Sequence, residues 1–203
     1  MFILASKSPR RAELLKKIYN KEFIIDPTDA DESKINNIDP SDTSLAIALL
    51  KMNEAIKKHP NDTILTADTI VIQNGTIYGK PKTKVDAINM LNNLCGVPHQ
   101  VITGYAIAIN GKIVAQNKTV TNLTLKRMSS NEIENYIATG SPFDKAGGYG
   151  IQDTEYIKTD KIDGSFANVM GLPIEDLKQE FIKLKRLCWI LWGFMGSTKI
   201  KRR

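Results

Sequence analysis

Apolar and polar positions alternate along the chain in blocks that switch between strand and helix spacing. Residues 2–5, Phe-Ile-Leu-Ala, form a short apolar run that breaks at once into Ser6-Lys7-Ser8-Pro9-Arg10-Arg11. Apolar positions then recur at helical spacing through Ala12, Leu14, Leu15 and Ile18, so the opening reads as a strand–loop–helix corner with Ser8 as N-cap and Pro9 in the first turn. Residues 21–26 read as a second strand and 27–40 as a polar loop rich in Asp, Ser and Asn. A long amphipathic helix follows over 41–58 through Ala46, Leu49, Leu50 and Ala55, stopped by His59-Pro60. Residues 63–67 predict a strand ending at Asp68, and 71–78 a hairpin across Asn74-Gly75. A helix is expected over 84–94, two long strands over 101–109 and 112–125 around Asn110-Gly111, and a helix over 130–138. A glycine-rich segment, 146–150, precedes a final helix from about 174 to 184. Helices and strands alternate but hairpins intervene, which predicts an α/β fold with a mixed, strongly twisted sheet flanked by helices.

Composition narrows the class. A chain of 203 residues suits one α/β domain or two small ones. Cys95 and Cys188, far apart, offer neither a disulfide framework nor a metal cluster, which suits a reducing, cytoplasmic compartment. Met1 leads directly into a strand, so no signal peptide is expected. The net charge of +6 is held by the six basic residues from Lys185 onward, which face no acidic residue there and leave the body near neutral. That distribution argues against a nucleic-acid-binding domain, which spreads a basic face across its fold. The tail itself packs both tryptophans into the nine apolar residues 187–195. Such a run is too short for a membrane span of roughly twenty residues, leaving an interfacial anchor, a last helix turn or a terminus outside the fold.

Candidate chemistry sits at predicted strand ends and loops: Asp31-Glu32, Asp68, Gly79-Lys80-Pro81 and Asp144-Lys145. The corner at Ser6 to Arg11 joins free helix N–H groups to Lys7, Arg10 and Arg11, a concentrated site for an anion such as phosphate. A capped helix with solvated cations is the duller reading of the same residues. Scattered carboxylates with only His59 and His99 as imidazoles favour a hard, oxygen-ligated cation such as Mg²⁺ over zinc. Neither a P-loop nor a Gly-x-Ser-x-Gly elbow is present, and no Cys–His nucleophile pair stands out. Cations and carboxylates without a covalent nucleophile suit attack by a metal-activated water on a phosphate ester or anhydride.

Six ordered blocks carry a more specific resemblance: Leu4-Ala5-Ser6-Lys7-Ser8-Pro9-Arg10-Arg11; Ala67-Asp68-Thr69-Ile70-Val71; Gly79-Lys80-Pro81; His99-Gln100-Val101-Ile102-Thr103-Gly104; Asp144-Lys145-Ala146-Gly147-Gly148-Tyr149-Gly150-Ile151-Gln152; and Gly171-Leu172-Pro173. Taken together they resemble the Maf family of nucleoside triphosphate pyrophosphatases over residues 2 to about 184. The resemblance implies a domain over 1–184 with an atypical tail over 185–203, and a fold related to the inosine triphosphatases. It also implies cleavage between the α- and β-phosphates of a nucleoside triphosphate, and a homodimer.

Carried over to this sequence, the resemblance makes Asp68 the general base that activates water and a group touching the metal. Glu32 becomes a Mg²⁺ ligand or a carboxylate bonded to one of the ion's waters, with Mn²⁺ the alternative ion. Ser6, Ser8, Arg11, Lys51, Lys80 and Lys145 would hold the phosphates. Arg10, Thr69 and Gln152 match the family branch acting on dTTP and UTP. An amide at 152 offers a donor beside an acceptor, complementing the imide of uracil or thymine. Lys51-Met52 and Cys95-Gly96 depart from the usual Lys-Ala and Ser-Gly without touching a charged position. The alternative function, an interaction protein regulating septum formation, has no need of Asp68.

Overall fold

Two Asn-Gly pairs fix the centre of the sheet. Asn74 and Gly75 have φ of 48° and 77°, and Asn110 and Gly111 have φ of 50° and 74°, the left-handed geometry that a tight hairpin turn requires at both central residues. A computed structural model describes residues 1–195, with side chains through 186. Its elements are β1 (Phe2–Leu4), α1 (Pro9–Lys16), β2 (Ile24–Ile25), α2 (Thr43–Lys58), β3 (Thr63–Gln73), β4 (Thr76–Tyr78), α3 (Lys84–Leu94), β5 (His99–Ile109), β6 (Lys112–Leu125), α4 (Ser130–Ala138), β7 (Thr159–Asp163), α5 (Phe166–Met170) and α6 (Ile174–Met195). The strands form one seven-stranded sheet in the order β2-β1-β3-β5-β6-β7, with β4 also on β3. β1 runs parallel to β2 and β3, and the remaining pairs are antiparallel. The mixed sheet expected from the pattern is therefore present.

Helices cover both faces. Met52 and Ala55 of α2 pack with Ile3, Ile64 and Ala106 on one face. Leu14 and Leu15 of α1 and Leu177 of α6 pack with Leu4, Leu65 and Ile107 on the other. A third cluster joins α3 and α4 to the far end of the sheet through Leu91, Leu94, Tyr136 and Leu123. Capping boxes at Thr83–Asp86 and Ser129–Glu132 start α3 and α4 where the sequence places them.

Four features differ from the sequence-based expectation. Asp68 does not end a strand: β3 continues through it to Gln73 because β5 pairs with it along its length, from Thr63↔Ile109 to Ile72↔Gln100. The second strand shrinks to Ile24–Ile25, an exposed edge with a partner on one side only. β7 and α5 lie in a stretch with no clear periodicity, and β7 is exposed at every residue, so no burial pattern marks it. The last helix runs past 184 to Met195, since no breaker stands between Leu184 and Trp192. The tryptophan side chains and residues 196–203, including Gly196-Ser197-Thr198 and the basic end, lie outside the described residues.

The close approach of α2 to the sheet depends on one residue. A Cβ on Gly104 would stand 2.3 Å from both the Cα and the N of Leu45, a backbone clash that no rotamer relieves. Opposite Gly104 on the neighbouring strand is Asp68. We expect Gly104→Ala to destabilise the protein by about 2–3 kcal/mol or more through forced separation of α2 from β5. Urea-unfolding midpoints of the two proteins check this, and an unchanged midpoint would show that the helix shifts freely.

Candidate active site

The cleft opens at a gap in the sheet. One edge of β3 pairs with β1 over residues 63–65 and with β4 over 71–73, and neither partner covers the residues between. Arg11 reaches into that gap from α1. It donates to the carbonyl of Ala67 at 2.8 Å, to Ser6 Oγ at 3.2 Å, to Thr69 Oγ1 at 3.0 Å and to the carbonyl of Gly171 at 2.8 Å. Burial pushes its pKa down from the ordinary value, with the Asp68 charge acting in the opposite direction. The cleft, of about 710 Å³, is lined by seven cationic side chains and four carboxylates.

Strand alternation sorts the two central residues. Asp68 shares the α2 face with Thr66, whose hydroxyl donates to the carbonyl of Ala48 at 2.8 Å. Its carboxylate meets Lys51 Nζ at 2.7 Å, and the same ammonium lies 2.8 Å from Glu32 Oε1. Glu32 arrives on a single 3₁₀ turn, Glu32–Lys34, whose N-cap Asp31 accepts from the Ser33 N–H. Thr69 faces the opposite side, where its hydroxyl is 2.9 Å from Thr103 Oγ1. Thr103 in turn donates to the carbonyl of Asn168, whose amide donates to Val101 O and Thr121 Oγ1. This buried chain ties α5 to the cleft floor.

A second wall comes from the glycine-rich segment. Asp144 accepts from Arg10 Nη1 at 2.6 Å and from Lys145 Nζ at 2.7 Å, while its carbonyl accepts from Arg10 Nη2. Partial burial would raise the Asp144 pKa, but the bonds from Lys145 and Arg10 outweigh it and hold it below the usual value. Lys145 spends its other two donors on the carbonyl and hydroxyl of Ser141. Gln152 donates to Asp153 Oδ1 at 3.2 Å. A Cβ on Gly150 would lie 2.4 Å from Gln152 Nε2 and 2.6 Å from Lys145 Cε, so a larger residue there would displace the ends of these two side chains.

Every residue given a site role by the resemblance lines this one cleft, Ser6, Ser8, Arg10, Arg11, Glu32, Lys51, Asp68, Thr69, Lys80, Lys145 and Gln152, whereas Asp31 does not line it and instead caps the turn that carries Glu32. Their immediate partners are more varied than the sequence suggested. Ser8 takes the extended N-cap conformation of α1 but makes no side-chain cap; its N–H donates to Ser6 Oγ instead, leaving first-turn N–H groups of α1 at the cleft. Arg11 and Lys145 are largely engaged by protein oxygens, whereas Lys80 and Lys82 are exposed and form no ion pair among the described residues. Asp144 stands out in the sequence as a charged station beside Lys145 but without a role of its own, and no local signal assigns one to Thr103, Asn168, His99 or Tyr149. His99 Nδ1 must donate to the Val97 carbonyl, so the neutral ring accepts at Nε2 from the Tyr149 hydroxyl, 2.8 Å away. Tyr149 lines the cleft.

Two carboxylates meeting at one cation form a hard-oxygen donor set. Magnesium is commonly held by one or two carboxylates, with phosphate oxygens completing the shell, so Glu32 and Asp68 fit such an ion in company with a phosphorylated ligand. No group of three or more His, Cys, Asp or Glu among the described residues forms a cage complete in itself. No helix among the described residues is long and apolar enough to cross a membrane.

A family model described as Maf-like protein matches residues 1–184. A dTTP/UTP pyrophosphatase of Pyrococcus furiosus is 44% identical over 172 residues, covering 85% of this chain and 89% of the relative. A dTTP/UTP pyrophosphatase of Latilactobacillus sakei subsp. sakei is 42% identical over 174 residues, covering 86% and 95%. Among solved structures, a HAM1 protein from Coxiella burnetii shares the fold, with a TM-score of 0.52 at 14% identity over 90% of this chain and 98% of that one.

Burial pushes the His99 pKa down from 6.5, and its bond to the Val97 carbonyl offsets this only in part. The unfolded chain therefore binds the proton at a higher pH than the native state, so this stability is present above 6.5 and is lost as pH falls through that value toward the folded pKa. We expect the urea midpoint to drop between about pH 7 and 5, and His99→Gln to flatten that part of the slope. Parallel slopes for the two proteins would remove His99 from the account.

Proposed function

The chain belongs to the Maf family, and on that premise we propose that it is a pyrophosphatase of dTTP and UTP, releasing the nucleoside monophosphate and pyrophosphate. The observation that carries the reading is the Glu32–Lys51–Asp68 cluster in a cation-rich cleft beside a helix N-terminus. Relatives above 40% identity bear that activity in their names. We assign the catalytic unit to residues 1–184, with 185–203 as a tail, in a cytoplasmic homodimer; the family resemblance carries the dimer.

In this reading the triphosphate lies along the cleft, toward Ser6, Ser8 and the first turn of α1. Lys80 neutralises its charge directly, and Lys51, Arg11 and Lys145 do so by exchanging a protein oxygen for a phosphate oxygen. Asp68 takes the proton from a water aimed at the α-phosphorus, and the bond to the bridging oxygen breaks to release pyrophosphate. Glu32 and Asp68 would hold Mg²⁺, or Mn²⁺ in its place, which when bound lowers the pKa of water and offsets charge on the phosphate oxygens. The opposite face of β3 and the glycine-rich wall read the base through Thr69, Arg10 and Gln152.

Asp68→Asn should lower kcat at least about a hundredfold while nucleotide affinity stays within about tenfold, since water activation is lost and the cations remain. Pyrophosphate release assays and nucleotide titration measure the two; retention of a tenth of the wild-type turnover would disprove the role of base. Wild-type enzyme should favour dTTP and UTP over GTP and ATP by at least about tenfold in kcat/KM, because a mismatched buried donor or acceptor costs roughly 1–3 kcal/mol. Gln152→Glu should erase most of that preference. Equal rates on all four nucleotides would remove Arg10, Thr69 and Gln152 from base reading while leaving the hydrolysis reading intact.

A further inference from the structure

The ammonium of Lys51 occupies the position between the two carboxylates where a metal ion would sit, 2.7 Å from Asp68 and 2.8 Å from Glu32. Lys51 and Asp68 are mostly sequestered, with side-chain exposures of 16% and 14%. Their mutual attraction is therefore screened less than a surface pair would be. We infer that Lys51 is an internal counter-ion that keeps Mg²⁺ out of the ligand-free site, so that the metal enters only together with a nucleotide. This rests on the reading of Glu32 and Asp68 as metal-holding groups.

The physical case is a competition for the same oxygens. An ion bound by Glu32 and Asp68 would lie within a few ångströms of the Lys51 charge, and a monocation beside a dication in a partly buried site is strongly repelled. Magnesium also gives up its waters reluctantly, and two carboxylates whose charge is half offset by a lysine attract it less than two free ones would. A triphosphate changes both sides of the balance. Its oxygens add ligands for the metal, and its negative charge gives the Lys51 ammonium a new partner, so Lys51 can leave the carboxylates without becoming an unpaired buried cation. The geometry permits this movement: Lys51 is held through its flexible four-carbon stem on α2, whereas Asp68 is fixed by the β3–β5 ladder.

Mn²⁺ binding to the full chain, read from the electron paramagnetic resonance signal of the free ion, tests this without any turnover. Wild-type protein alone should bind Mn²⁺ weakly at a Glu32-dependent site, and a non-hydrolysable nucleoside triphosphate analogue should tighten that binding at least about tenfold beyond the analogue's own affinity for the ion. Lys51→Met should bind Mn²⁺ at least about tenfold more tightly than wild type in the absence of nucleotide, and adding Glu32→Gln should abolish the gain. Tight, Glu32-dependent binding to nucleotide-free wild type overturns the inference even if Lys51→Met fails to fold. Glu32-dependent binding with the analogue, but no gain in folded Lys51→Met, overturns the role of Lys51 and leaves the metal reading standing. If Glu32→Gln changes Mn²⁺ binding under neither condition, both fall.

Discussion

The gap in the β3 edge is the constraint from which the rest of the site follows. Between the ends of β1 and β4, at Leu4 and Tyr78, backbone groups on that edge have no strand to pair with, and a buried carbonyl left alone is costly. The Arg11 guanidinium answers the Ala67 carbonyl and at the same time holds Ser6, Thr69 and Gly171. One side chain thus joins the strand–helix corner, the open strand and the turn after α5. A cation placed there for the sake of the backbone also biases the cleft toward anions. Structural and binding roles share the same atoms.

Charge in the cleft is already balanced in small groups before any ligand arrives. Lys51 sits with Asp68 and Glu32, and Arg10 and Lys145 with Asp144. Lys7 and Asp29 form an exposed pair at the rim, of a kind worth little in stability. These arrangements offset much of the cationic excess, and they leave Lys80 and Lys82 exposed and without an ion-pair partner among the described residues. On the proposed reading, the cationic groups deeper in the cleft trade a protein oxygen for one from the ligand. Such exchange favours polyanions, which can replace several oxygens at once.

Much of this was legible in the sequence, for reasons that can be named. The Asn-Gly turns, the capping residues before α3 and α4 and the helical spacing of α2 are local signals that tertiary contacts had no cause to override. Most lining residues were found because their motifs are contiguous and chemically distinctive, whereas Glu32 and Lys51 lie outside those motifs and took their roles from the family resemblance. What stayed hidden depends on pairing across the chain. Asp68 resembled a strand end because an acidic residue is rare inside a ladder, and only the β5 register, with Gly104 opposite, shows how it is accommodated. Asn168 and Thr103 act through bonds to residues tens of positions away. The extent of β7 is set by its pairing with β6 and by no pattern of its own.

The opposite orientations of Asp68 and Thr69 have a consequence for how such a site can change. Because neighbours on a strand point to opposite sides, the acid–base cluster with Lys51 and Glu32 and the hydroxyl network with Thr103 lie on opposite faces of one sheet, with Arg11 between them feeling the Asp68 charge. On the proposed reading, substitutions at Thr69 act on the face opposite the carboxylates. The same arrangement makes the strand unforgiving of insertion or deletion, since a shift by one position would present the hydroxyl to α2 and the carboxylate to Arg11. Variation in this strand is therefore confined to swapping side chains in a fixed frame.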